Sequence, residues 1–279
     1  MKVHKFTQML AARDAVLVSV ERTEGSVPRE AGAWMGVFSD ELVGTVGGGQ
    51  LEFQAIAQAR QMLAGEGVHA GGVELRFALG PSLGQCCGGV MVLQFEPVDG
   101  SAVAMLHQRL SATLTPVALF GGGHVGQALV TVLARLPFAV RWIDSRDEVF
   151  PDTVPTQVQT EHSDPVQAAV ADLVPHSRVL IMSFSHAEDL DIVAACLLRL
   201  RARDDLPHVG LIGSKTKWAT FRHRLQERGF GEAELARITS PIGIAGIPGK
   251  EPEVIAVAVA AQLLQMRDAD TPHDPHTGV

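Results

Sequence analysis

The sequence contains no tyrosine at all, and aromatic residues make up only 5% of it. That excludes a Tyr–Lys proton relay. It also leaves little material for base-stacking platforms on single-stranded nucleic acid. Positive charge is short as well: 23 Lys and Arg stand against 31 Asp and Glu, a net charge of −8. Nucleic acid and anionic membranes select for basic surface, so neither is expected as a partner. Long apolar runs are missing, and none approaches the ~18–20 residues that span a bilayer. Lys5, Gln8, Arg13 and Asp14 interrupt the opening stretch, where a secretory leader would be continuous. A cytoplasmic location is expected. Cysteine is scarce: three residues, an odd number without framework spacing, argue against structural disulfides. A zinc site would need CxxC-type spacing and partners, and neither is visible.

What is present is apolar residues at 46% over 279 positions, enough for about two domains. Residues 1–112 read as a mixed α+β domain. A short amphipathic helix opens it. A β-rich run follows over Ala15–Val20, then two short strands, Ala33–Phe38 and Leu42–Val46, joined by a hairpin at Ser39–Glu41. A helix over Leu51–Leu63, a strand through Val73, Leu75 and Phe77, a strand over Val90–Phe95 and a helix over Ser101–Leu110 complete it. From 113 to 266 the rhythm changes to strand–helix–strand, which predicts a Rossmann-like parallel sheet with helices on both faces. The fold class is thus α/β, the parallel-sheet domain following a smaller α+β domain. "DPVQAAVADL" reads as a helix with Asp164 at the N-cap and Pro165 at N1. The apolar run Glu251–Met266 predicts a last helix that packs between domains or forms a homodimer seam. The polar tail 267–279 is expected to be disordered.

"VALFGGGHVGQALV" holds Gly121-x-Gly123-x-x-Gly126 between a predicted strand and helix, and Asp144 ends the next strand. Gly121 permits the tight turn, Gly123 lets a phosphate approach the helix N-terminus, and Gly126 lets helix and strand pack closely. Asp144 is expected to accept bonds from a ribose hydroxyl, with a nucleotide in this loop; Arg146 either meets a phosphate there or is solvated. In the first domain, Gly47, Gly48 and Gly49 put three bare N–H groups before a helix, again suited to an anion. Glu52, in the first turn of that helix, either complements its dipole or serves as a catalytic carboxylate. Arg29 either clamps a phosphate or pairs with an acid. "QCCGG" sets Cys86 and Cys87 against Gly88 and Gly89. Simple packing suits Cys196, inside an apolar helix, but suits this pair poorly. Thiolate chemistry with a metal or with transferable sulfur fits it better. Candidate base partners such as His124 and His186 are remote in sequence.

These stretches together resemble the XdhC/CoxI family of accessory proteins for molybdenum hydroxylases. The resemblance is carried by "GSVPREAGAWM", "GTVGGGQLE", "QCCGG", "LFGGGHVG", "FSHAEDLD", "GLIGSKTKWATFRHRL" and "PIGIAGIPGKEPEVIAVAVAAQLL", in that order. It implies a chaperone that binds the molybdenum cofactor, a pyranopterin whose dithiolene holds the metal. The cofactor is held while an oxo ligand is exchanged for sulfido and is then delivered to apo xanthine dehydrogenase. It implies docking on a cysteine desulfurase and on a cofactor-biosynthesis protein, and no turnover chemistry. Cys86 and Cys87 fall on the family's cysteine–glycine motif, which makes them the expected molybdenum contacts, with Gly88 and Gly89 beside them. "FSHAEDLD" has Phe184 where the family pattern has a polar residue, so His186 reads as a loop histidine. "GSKTK" is not a Walker motif, so Lys215 and Lys217 either meet a phosphate or face solvent. Two other readings remain: an NAD(P)-dependent oxidoreductase working through the Gly121 loop and Asp144, and a sulfur carrier working through Cys86 and Cys87 alone.

Overall fold

A computed structural model describes residues 2–65, 72–80, 88–112 and 114–270. The chain divides into two compact units on either side of residue 113. The first contains α1 (Lys2–Leu10), β1 (Ala15–Glu24), β2 (Trp34–Val37), β3 (Leu42–Gly44), α2 (Gly49–Leu63), β4 (Val73–Ala78), β5 (Val90–Val98) and α3 (Val103–Ser111). Its strands form an antiparallel sheet in the order β3-β2-β1-β5-β4. Side chains alternate between the two faces of a strand, and in β1 both faces are buried. Val16, Val18 and Val20 pack with Leu51, Ala55 and Ala59 of α2. Ala15 and Leu17 pack with Phe6, Leu10, Leu106 and Leu110 of α1 and α3. Each buried Val or Leu of β1 contributes about 1.5–3 kcal/mol, so β1 ties both layers of the domain together. It runs past Val20 to Glu24 because, beyond a register shift, Thr23 and Glu24 still pair with Met91 and Val90 of β5.

The second unit contains β6 (Thr115–Phe120), α4 (His124–Leu133), β7 (Phe138–Asp144), β8 (Val158–His162), β9 (Arg178–Ile181), α5 (His186–Arg203), β10 (His208–Leu211), α6 (Lys215–Glu227), α7 (Glu232–Leu235), β11 (Ile238–Thr239) and α8 (Pro252–Asp270). All its strands are parallel, in the order β11-β10-β9-β6-β7-β8. The chain order reverses between β6 and β9. This is the switch point where ligands of doubly wound sheets lie, outside the carboxyl ends of the strands. Val117 and Leu119 of β6 pack under α4 and α8, and Ala118 and Phe120 pack under α5 and α6.

Three local expectations change. Residues Val166–Asp172 form a 3-10 helix, not an α-helix, and Pro165, not Asp164, is at its N-cap without a side-chain cap. Arg199 of α5 closes its C-terminal end: the buried guanidinium donates to the carbonyls of Val170, Ala171 and Leu173 and pairs with Asp205, satisfying acceptors that a last helical turn leaves without intrahelical partners. Strand β8 was not expected: among its residues only Val158 is buried, so it carries no alternating apolar signal. Helix α8 runs to Asp270, and Ala256, Val259, Ala260 and Leu263 pack with Leu129, Val130 and Leu133 of α4. The apolar run is thus used inside the Rossmann unit. Among the described residues no helix is long and apolar enough to cross a membrane.

Candidate functional site

In the first unit, three glycine stretches meet at one end of the sheet. Gly89 lies against the carbonyl oxygens of Glu24 and Ser26, so closely that a Cβ there would collide with both. A Cβ on Gly25 would lie 3.3 Å from Gly89 Cα. One on Gly47, where φ is +134°, would lie 2.6 Å from the ring of Pro28, beside Arg29. "GSVPRE", "GTVGGG" and Gly88–Gly89 therefore converge, though 22 or more positions separate Gly25, Gly47 and Gly89 in the sequence. Gly88 is exposed, with open space where a side chain would be. Cys86 and Cys87 lie outside the described residues. Arg29 is exposed and has no ion-pair partner among the described residues.

The glycine run before α2 does not offer three bare donors. The Gly47 N–H donates to Thr45 Oγ1 at 3.1 Å, and the Gly48 N–H donates to Glu52 Oε2 at 3.2 Å. The same Glu52 oxygen accepts from the Val46 N–H at 3.0 Å and from the Thr45 hydroxyl. Glu52 is a clasp that fixes the loop from inside. This is nearest the first of the two roles expected for it: it satisfies N–H groups at the helix start. Of the three glycines only Gly49 lacks such a bond among the described residues.

In the Rossmann unit the expected loop geometry is present. Gly121, at φ +123°, lies against the Met182 carbonyl after β9, where a Cβ would collide. Gly126 of α4 lies against the Gly121 carbonyl in the same way, and the Trp142 indole N–H donates to that carbonyl at 2.9 Å. Gly123, at the N-cap of α4, has open space around it.

Asp144 differs from expectation. It is 2% exposed, and its carboxylate is already occupied. Oδ2 accepts from the Gly122 N–H at 2.6 Å and from Arg146 Nη2 at 2.9 Å. Oδ1 accepts from the Arg146 N–H and from Nε, both at 2.9 Å. Burial by itself would raise the acid's pKa, but the bonds from Arg146 and Gly122 outweigh it and hold Asp144 below the usual carboxylate range. Arg146 is not simply solvated: it pairs with Asp144, and its guanidinium also stacks on Phe184, 4.4 Å from the ring centroid.

A second polar cluster lies beside it at the carboxyl ends of β9 and β10. Asp189 of α5 is 2% exposed. It accepts from the Ser183 N–H and hydroxyl at 2.8 Å each, and Lys217 Nζ donates to its other oxygen at 2.6 Å. Nζ also donates to the Ile212 carbonyl at 2.9 Å. Lys217 thus does not face open solvent but is held inside the domain by Asp189. Ser145 donates to Glu188 Oε1 at 2.6 Å, and Glu188 Oε2 is buried without a partner among the described residues. The His186 ring stands edge-on to Phe221 at 6.2 Å. Sequence reasoning missed the roles of Asp189 and Glu188. The only signal was their position in the first turn of a helix, which usually means no more than favourable interaction with the helix dipole. Among the described residues no group of three His, Cys, Asp or Glu side chains could hold a metal ion.

Residues 117–263 match the XdhC Rossmann domain, and residues 9–71 match the XdhC and CoxI family. The chain belongs to the XdhC/CoxI family. It is similar to protein YqeB of Escherichia coli K12, 27% identical over 255 residues. That match takes in 90% of this chain but only 43% of YqeB, so the chain spans less than half of that relative's length. It also resembles a crystal structure from Bacillus halodurans described as a xanthine dehydrogenase, with a TM-score of 0.76, 20% identity and 99% of each chain covered. At that identity the likeness concerns the fold. The XdhC Rossmann match contains Gly121, Asp144, Arg146, Asp189 and Lys217, and the XdhC and CoxI match contains Gly25, Arg29, Gly47 and Glu52. Cys86, Cys87, Gly88 and Gly89 fall between the two matched segments.

Proposed function

We propose that the protein is an accessory factor for a molybdenum hydroxylase. It binds the molybdenum cofactor, holds it while an oxo ligand is exchanged for sulfido, and delivers it to apo xanthine dehydrogenase. One observation carries this reading: the Gly25, Gly47 and Gly88–Gly89 stretches meet at one end of one sheet, in a chain of the XdhC/CoxI family. Cys86 and Cys87 directly precede that glycine pair in the chain. A thiolate is a soft ligand suited to molybdenum or to transferable sulfur. The exposed Arg29 and the Gly49 N–H suit the anionic phosphate of the cargo. The Gly47 and Gly48 N–H groups shape the loop and take no part in holding it, since Thr45 and Glu52 already accept from them. The cargo brings the redox-active metal; the chain itself binds, shields and hands over. A cysteine desulfurase is the sulfur donor in this reading, and a cofactor-biosynthesis protein is the source of the cargo.

The test is an anaerobic titration with molybdenum cofactor, comparing the native chain with Cys86→Ala and Cys87→Ala. Stoichiometric binding that weakens in one variant supports the reading and identifies the working thiol. Binding unchanged in both variants retains the chaperone but moves its contacts to the glycine loops and Arg29. No binding by the folded protein refutes it.

A further inference from the structure

In a dinucleotide-binding Rossmann domain, the acid that ends the second strand accepts from the hydroxyls of the adenosine ribose. Asp144 occupies that position, at the end of β7 and 18 residues after Gly126. A carboxylate has about four lone-pair sites, and in Asp144 all are filled from within the chain. Gly122 N–H and Arg146 Nη2 donate to one oxygen, and Arg146 N–H and Nε donate to the other. Three of these donors belong to one residue, whose side chain meets the carboxylate as a two-pronged fork. A ribose diol would approach the same two carboxylate edges.

We infer that Arg146 is the specificity-determining residue that keeps the adenosine half of an adenine nucleotide out of this Rossmann domain, by taking the position on Asp144 that a ribose diol would take. Two further contacts keep the fork in place. Phe184, in the turn after β9, lies under the guanidinium at 4.4 Å, so Arg146 is held by a ring on one side and a carboxylate on another. Ser145, its chain neighbour, is tied to Glu188 of α5 at 2.6 Å, which anchors the β7 turn to the far side of the switch point. At Gly123, where a phosphate would approach the helix N-terminus, the side-chain direction is open. The exclusion lies in the acid. The inference is independent of the cofactor-handling reading and survives its failure.

Isothermal titration of the full chain with AMP and with 2′-deoxy-AMP tests it, alongside Arg146→Ala and Arg146→Gln. The native chain is expected to give no saturable binding of either ligand and no preference between them. Both variants, shown folded by circular dichroism, expose the carboxylate and gain AMP binding. They favour AMP over 2′-deoxy-AMP by about tenfold, the value of a hydrogen bond to a charged group. A native chain that binds AMP and prefers the diol overturns the inference, whatever the variants do. So does a folded Arg146 variant that gains nothing.

Discussion

Lowering the pH should destabilise the Rossmann unit through one histidine, and the size of the effect follows from where that ring lies. His208 begins β10, is 5% exposed, and its Nε2 is buried without a hydrogen-bond partner among the described residues. Arg178 is its register partner on β9. Burial, and secondarily the charge of Arg178, lower the imidazole pKa from 6.5 to about 4. The folded state therefore resists a proton that the unfolded chain accepts readily. The stability gained from the neutral ring is complete above about pH 6.5. It is lost as the pH falls toward 4, because the unfolded state binds the proton first. Each pKa unit is worth about 1.4 kcal/mol, so the loss between about pH 7.5 and pH 4.5 is roughly 2–3 kcal/mol from this group alone. Carboxylates titrate in the same range, so the useful quantity is a difference. Urea unfolding of the native chain and of His208→Gln, followed by circular dichroism across that window, isolates it. The native chain should lose roughly 2–3 kcal/mol more than the variant. Parallel pH curves for the two proteins would refute the reasoning, because they would mean that the folded ring takes its proton at an ordinary pKa.

Other substitutions probe the two clusters at the switch point and one thiol. Gly126→Ala drives a methyl into the Gly121 carbonyl and should cost about 1–3 kcal/mol, whereas Gly123→Ala, in open space, should stay within roughly 0.5 kcal/mol in the same unfolding assay. Asp189→Ala leaves the Lys217 ammonium buried without its partner and should cost about 3–5 kcal/mol, while the double change Asp189→Leu with Lys217→Met should cost much less. Cys196 is fully enclosed, and burial pushes its thiol up to about 12. Mass spectrometry should find it unmodified by iodoacetamide in the native chain and alkylated in urea.

Much of this architecture is legible in the sequence, and where it is not, the cause is physical. The strand–glycine–helix–strand–acid pattern at Val117–Asp144 identifies the Rossmann turn because Gly121 and Gly126 answer real steric demands, at Met182 and at Gly121 itself. The same pattern could not show that Asp144 is already occupied, since the decisive donor, Arg146, reads equally as a phosphate ligand or a solvated side chain. Glu52 is similar: its position on a helix is evident, but its bond to Gly48 depends on how the loop folds back. Lys217 and Asp189 are 28 residues apart, and only the adjacency of β9 and β10 brings them together. Strand β8 escaped notice because an edge strand with one buried residue carries no apolar alternation. The 3-10 segment escaped because seven residues make only about two turns, too few for the spacing of apolar residues to tell a 3-10 from an α-helix.

The order of the strands has a consequence for how this molecule can meet others. The parallel sheet ends at β11, which is two residues long, and at β8, where Glu161 is locked to Arg141 of the neighbouring strand. The antiparallel sheet ends at β3, which is three residues long, and at β4, whose Glu74 and Arg76 are engaged with charges on β1. Short or charge-decorated borders are poor templates for an incoming strand. Neither sheet invites lengthening by another chain, which protects the molecule from ribbon-like aggregation and leaves side chains, not backbone ladders, to make its contacts with other proteins.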